Sequence, residues 1–126
     1  IDDLKSKHVD TGAGFERIVS VMQGQLSNYS TDLFQPIIKQ IETISAASYK
    51  TDPVPFQVIS DHVRMLCFAI ADGALPSNEG RGYVLRRILR RAARYGRMIN
   101  MSEPFIFELV SSVGDEMIAM VLSAAN

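Results

Sequence analysis

Two groups of residues have types and spacing suited to handling an anion. The first is Asp10-Thr11-Gly12-Ala13-Gly14-Phe15-Glu16-Arg17. Gly12 and Gly14 lack a Cβ, so backbone there can approach a ligand closely. Arg17 falls one turn into whatever helix follows, where a guanidinium can meet a phosphate. The segment is neither the GxxxxGK[ST] phosphate loop nor the GxGxxG dinucleotide fingerprint, because arginine stands where the third glycine belongs. Taken alone, it equally fits a plain glycine turn with a surface arginine. The second group lies between Gly80 and Ser102, which holds seven arginines and no acid in a chain whose net charge is −1. That stretch carries +7 and the remaining residues together carry −8.

Turned about 100° per residue, Val84, Leu85, Ile88, Leu89, Ala92 and Tyr95 gather on one side of a helix. Arg86, Arg87, Arg90, Arg91, Arg94 and Arg97 gather on the other. No acid lies at i±4 to offset them, and like charges at that spacing repel. Three readings follow. The arginines bind a nucleic-acid backbone, they lie on an anionic membrane surface, or they pair with acids of neighbouring helices such as Asp61, Asp72, Glu103 or Glu108. The bulky apolar side opposite looks committed to a core, which disfavours the membrane. Arginine also favours bidentate contact with phosphate or carboxylate.

Other chemistry is sparse. His8, His62 and Cys67 are too few and too dispersed for a metal site, and no HxxxH or CxxC occurs. Asp61 and His62 are adjacent, so on a helix they point about 100° apart and make no acid/base pair. Tyr29 and Tyr83 are candidates for stacking on bases. Tyr83 lies near the arginine side and is equally placed to pack on its arginines.

Helices must position these groups. Apolar spacing predicts helix nearly everywhere after about residue 14, with a short strand at 7–10 leading into the glycine turn. Phe15, Ile18, Val19 and Met22 mark a first helix, stopped at Gly24. Thr31 is placed to cap a second, with Pro36 in its first turns and Phe34, Ile37, Ile38, Ile41 and Ile44 inward. After a loop over 45–55, Val58, Ile59, Val63, Leu66, Cys67 and Ile70 define a third, ending near Asp72-Gly73. The arginine helix spans about 81–98. Ser102 is placed to cap a fifth with Pro104 in its first turn and Phe105, Leu109, Val113, Met117 and Val121 on one face. The expected fold is mostly α, a compact bundle of about five helices preceded by a short strand-turn remnant.

With 126 residues, 47% hydrophobic and 21% charged, the chain has the length and balance of one ordinary globular domain. No apolar run reaches the roughly 18 residues of a membrane span, so no membrane partner is expected. A lone cysteine fits a reducing, cytoplasmic setting. The start, Ile1-Asp2-Asp3-Leu4-Lys5, has no initiator methionine or signal pattern and reads as the cut end of something longer.

VDTGAGFERI, from Val9 to Ile18, resembles motif 3 of class II aminoacyl-tRNA synthetases in the form found in alanyl-tRNA synthetases. Asp61-His62, Ala71-Asp72-Gly73 and the run Pro76-Ser77-Asn78-Glu79-Gly80-Arg81-Gly82-Tyr83-Val84-Leu85-Arg86-Arg87 through Ala92 resemble the helical tRNA-recognition region of the same family. Residues 99–126 are less distinctive. The resemblance implies that 1–24 close a catalytic domain (motif 3) and that 25–126 form a helical tRNA-recognition domain. It implies ATP contacts by Gly12, Gly14 and Arg17, and alanine contacts by Asp10 and Gly12, with Asp10 facing the ammonium group. It further implies tRNA acceptor-stem contacts by Asn78, Arg81, Arg86, Arg87, Arg90, Arg91 and Arg94. Asn78 would read a G·U wobble pair while the arginines hold backbone. The parent enzyme would attach alanine to tRNA(Ala) using ATP and Mg, with zinc only in an editing domain absent from these residues. No complete catalytic set, no metal site and no obligate protein partner are expected within this chain. The alternatives from other classes are a stand-alone helical RNA- or DNA-binding module and a helical protein-interaction domain that binds an acidic partner.

Overall fold

The computed structural model describes Ser6 and residues 11–124, with side-chain surroundings through Asp115. In chain order it holds α1 (Phe15–Met22), a 3-10 turn (Asn28–Ser30), α2 (Gln35–Ser45), α3 (Pro53–Ala71), α4 (Gly80–Met98) and α5 (Ile106–Ala124). The mostly helical fold with five helices is as expected. The strand expected at 7–10 lies outside the described residues, and no strand occurs among the rest.

Local chemistry sets most boundaries. Asp52 caps α3 by accepting the Val54 N–H, and Pro53 opens it, since its missing N–H would have had no helical partner there. Ala46 ends α2 in the left-handed region, φ 54°. Two boundaries differ from expectation. Thr31 does not cap α2: its hydroxyl donates to the Asn28 carbonyl at 2.6 Å and is fully buried, closing the 3-10 turn. The helix begins at Gln35 with Pro36 in its first turn. Ser102 and Pro104 likewise precede α5 instead of opening it. Ile99, Met101 and Phe105 are all buried, and Asn100 turns the chain with φ 66°, so this connection folds across the core before helix resumes at Ile106.

The core is a three-helix contact. Phe34, Ile37, Ile38 and Ile41 meet Phe56, Ile59 and Val63 of α3 and Leu109 and Val113 of α5, all at 2% exposure or less. Tyr49 sets its ring edge-on to Phe56 at 5.8 Å. Helix α3 is central, touching α2, α4 and α5. It is also long and apolar enough to count as a candidate membrane span, with mean hydropathy 1.2, which the reading of apolar runs did not anticipate. Here it buries Phe56, Ile59, Val63 and Leu66 inside the bundle.

Helix α4 lies along α3 through Leu85, Ala92 and Gly96. A Cβ at Gly96 would stand 2.2 Å from the Phe105 ring, so glycine is what lets the end of α4 cross that side chain. Helix α1 is pinned by Glu16, whose carboxylate accepts from the Arg64 guanidinium at 3.0 Å. Gln23 and Asp32 add reciprocal hydrogen bonds of 2.6 and 3.2 Å. Its inward side is therefore partly polar, while Phe15, Ile18, Val21 and Met22 face solvent.

Candidate nucleic-acid interface

The arginine helix presents its charge outward. Arg81, Arg86, Arg87, Arg90, Arg91, Arg94 and Arg97 are all exposed along α4, over about five turns of one helix. None lies within ion-pair distance of a carboxylate among the described residues. The tertiary pairing with Asp61, Asp72, Glu103 or Glu108 is thus not observed. Asp61 instead accepts a 2.6 Å hydrogen bond from the Tyr29 hydroxyl. Two arginines rest on tyrosines of their own helix: Arg87 lies 5.8 Å from the Tyr83 ring centroid and Arg91 5.9 Å from that of Tyr95. The apolar side is narrower than its periodicity suggests, for Val84 is half exposed while Leu85 and Ala92 are buried.

Ahead of α4, the loop 72–79 is built against the first turn of the helix. Gly80 adopts φ 55°, in the left-handed region that glycine enters without a Cβ penalty. A Cβ on Gly82 would meet Ser77 Oγ at 2.1 Å and the Leu75 carbonyl oxygen at 2.5 Å. Only glycine allows this closeness. Ser77 Oγ donates to the Glu79 carbonyl at 2.9 Å. Asn78, exposed beside it, accepts through Oδ1 from Arg86 Nη1, so the candidate base-reading amide and one candidate backbone cation are joined.

Between α3 and α4 runs a groove of about 510 Å³ lined by His62, Val84, Arg87, Ile88, Arg90 and Arg91. The Nε2 of His62 is closed to solvent and has no hydrogen-bond partner among the described residues. Burial pushes the imidazole below its ordinary value of 6.5, Arg91 pushes the same way and Asp61 opposes them. Periodicity could not single out this residue, because the groove exists only once α3 and α4 pack.

The other candidate residues lie ahead of and on α1. Gly12 is exposed, with open space where a side chain would begin, and Gly14 precedes α1 in extended backbone with no side-chain cap, its carbonyl accepting from the Arg17 and Ile18 N–H groups. Arg17 is exposed and pairs with no carboxylate among the described residues. Asp10 lies outside the described residues. No group of three His, Cys, Asp or Glu among the described residues could hold a metal ion.

Arg64 was not singled out by the sequence reading, yet it is the buried cation, at 5% exposure. It sits 4.8 Å from the Phe34 ring centroid and 5.8 Å from that of Phe68, with Glu16 as counterion. Its one available signal is that it is the one arginine or lysine within the apolar stretch of α3. Tyr29 is likewise structural, 5.1 Å from the Phe34 ring and bonded to Asp61, with burial pushing its hydroxyl well above the ordinary range. Burial also pushes the Cys67 thiol up.

The family model for tRNA synthetases class II (A) matches residues 1–122. The chain belongs to that family. Among curated class II (A) relatives, the alanine–tRNA ligase of Streptococcus mutans is 57% identical over 114 residues, covering 89% of this chain and 13% of the relative. That of Thermotoga maritima is 55% identical over 117 residues, covering 90% and 14%. That of Exiguobacterium sibiricum is 56% identical over 119 residues, covering 92% and 14%. The chain therefore spans about one-seventh of the length of these synthetases.

Proposed function

We propose that this chain is the part of an alanine–tRNA ligase that holds the acceptor stem of tRNA(Ala), within a parent enzyme that joins alanine to that tRNA with ATP. The observation that carries the reading is the row of exposed α4 arginines without a carboxylate partner among the described residues, in a chain over half identical to alanine–tRNA ligases. A row of guanidiniums at helical spacing suits the phosphates of an RNA helix, which it positions without reading sequence. Arg81, Arg86, Arg87, Arg90, Arg91 and Arg94 serve this role. Asn78 supplies the readout, since an amide both donates and accepts at base edges in the shallow groove of A-form RNA, and its bond to Arg86 orients it.

In the same reading, residues 1–24 close the catalytic domain and 25–126 form the tRNA-recognition domain. Gly12, Gly14 and Arg17 face the phosphates of ATP in the parent enzyme, and Asp10 and Gly12 face alanine. The open space at Gly12 and an exposed Arg17 with no carboxylate partner among the described residues suit an anion at this place. ATP would supply the activating phosphoanhydride when bound. Mg would accompany ATP in the parent enzyme, and zinc would belong to its editing domain. A cytoplasmic setting fits such an enzyme.

The test is binding of the chain to two acceptor-stem minihelices, one with a G·U pair and one with G·C, across a salt series. The expected result is preference for G·U with a steep loss of affinity as salt rises. Arg90→Glu with Arg91→Glu should weaken both RNAs alike and flatten the salt slope, whereas Asn78→Ala should mainly remove the preference, worth about 1–3 kcal/mol for a good base contact. Absence of RNA binding would refute the reading and favour an acidic protein partner for the arginines.

A further inference from the structure

The groove between α3 and α4 brings together three exposed arginines and one histidine whose Nε2 is shut away from water without a partner. A buried donor or acceptor left unmatched is costly, so native structures seldom keep one without a use. The carboxylate next in sequence does not serve it: Asp61 accepts from the Tyr29 hydroxyl at 2.6 Å and makes no hydrogen bond to Nε2. The groups that face or border the imidazole are Asp61 on its own helix and Arg87, Arg90 and Arg91 across on α4. The site is thus rich in donors and short of acceptors. Arg87 and Arg91 stand one turn apart on the same helix face; in the free protein they lean apart onto Tyr83 and Tyr95, and swinging toward each other they can close on one tetrahedral anion. Val84 and Ile88 supply the apolar part of the groove lining.

We propose that this groove seats one phosphate of the bound RNA backbone, held by Arg87 and Arg91 and, once the side chains covering it swing aside on binding, by a hydrogen bond donated from His62 Nε2. The assignment rests on the acceptor-stem reading above and adds a residue of α3 to an interface otherwise confined to α4 and its leading loop. It has a signature that arginines alone lack. In the free protein, Arg91 and burial disfavour the imidazolium, whereas a phosphate beside Nε2 favours it. RNA binding therefore raises the His62 pKa, and affinity gains as pH falls and declines as pH rises through the bound-state value.

The test measures minihelix affinity of the full 126-residue chain from about pH 8 to about pH 5.5 at fixed ionic strength. In parallel, the imidazole nitrogens are followed by NMR with RNA, with inorganic phosphate and with neither. A bound-state preference of one pKa unit predicts a gain of about tenfold toward acid. His62→Gln should flatten the pH profile while keeping the alkaline affinity. Arg87→Gln with Arg91→Gln, both on exposed positions, should abolish the RNA-induced rise in the His62 pKa even if His62→Gln misfolds. Wild-type RNA binding that ignores pH, with unmoved imidazole signals, overturns the groove assignment and leaves the acceptor-stem reading standing. Signals moved by inorganic phosphate but not by RNA identify a free-anion site and overturn it too. A wild-type chain that binds no RNA at any pH overturns both.

Discussion

Replacing Gly82 by alanine tests whether the close approach of loop and helix is what positions Asn78. The added Cβ would lie 2.5 Å from the Leu75 carbonyl oxygen and 2.1 Å from Ser77 Oγ, where ordinary contact begins near 3.4 Å. Ser77 can rotate, but that breaks its 2.9 Å bond to the Glu79 carbonyl. Leu75 contributes backbone and must retreat by about 0.9 Å. Overpacking of a rigid core costs about 1–3 kcal/mol. The loop is largely exposed, so about 1–2 kcal/mol is expected, the remainder being relieved by movement. That movement carries Asn78 away from Arg86. Urea unfolding should show the stability loss. In the minihelix assay, G·U over G·C preference should shrink several-fold while the salt slope stays unchanged, because the α4 arginines keep their places. A Gly82→Ala protein as stable as the parent, with undiminished preference, would refute the argument that this contact sets the loop.

Two further perturbations act on the fold. Gly96→Ala places a methyl 2.2 Å from the buried Phe105 ring and should destabilise by about 1–3 kcal/mol in urea titrations; pairing it with Phe105→Leu should recover part of that loss. Glu16 is held below its ordinary value of 4.5, first by backbone hydrogen bonding at the start of α1 and then by Arg64, against the opposing effect of burial. A lowered folded-state value means that its contribution is complete above about pH 4.5 and is lost as pH falls through the folded value. Glu16→Gln should cost about 1–2 kcal/mol at neutral pH, the low end for a hydrogen bond to a charged group because the carboxylate is partly exposed. It should also reduce the acid dependence of stability seen by thermal unfolding between about pH 5 and pH 3.

The arginine face of α4 was legible in the sequence because helical periodicity sorts charge from Leu85 and Ala92 without knowledge of any neighbour. The five helices were legible for the same reason. What stayed hidden depended on contacts across the chain. Thr31 has the chemistry of a cap, and only its burial against the 3-10 turn shows that its hydroxyl is spent on Asn28. Ser102 and Pro104 have the pattern of a helix start, overridden by the need to bury Met101 and Phe105. Gly82 and Gly96 show no role in the sequence alone, because Leu75 and Phe105 come against them only in the folded chain. Arg64 looked like one surface charge among thirteen basic residues and is the buried link between α1 and α3. The α3–α4 groove belongs to neither helix alone.

The uncompensated row on α4 also matters before any contact is made. Exposed like charges along one helix project a field into solvent, and a polyanion drifting past feels it over about 8 Å at physiological ionic strength. Such a field turns glancing collisions into oriented ones and raises the encounter rate, a gain that fades as salt shortens its reach. The row therefore acts on time as well as on occupancy. In the proposed function it would shorten the search for the correct docking pose and leave discrimination to the slower departure of a well-seated RNA over a poorly seated one.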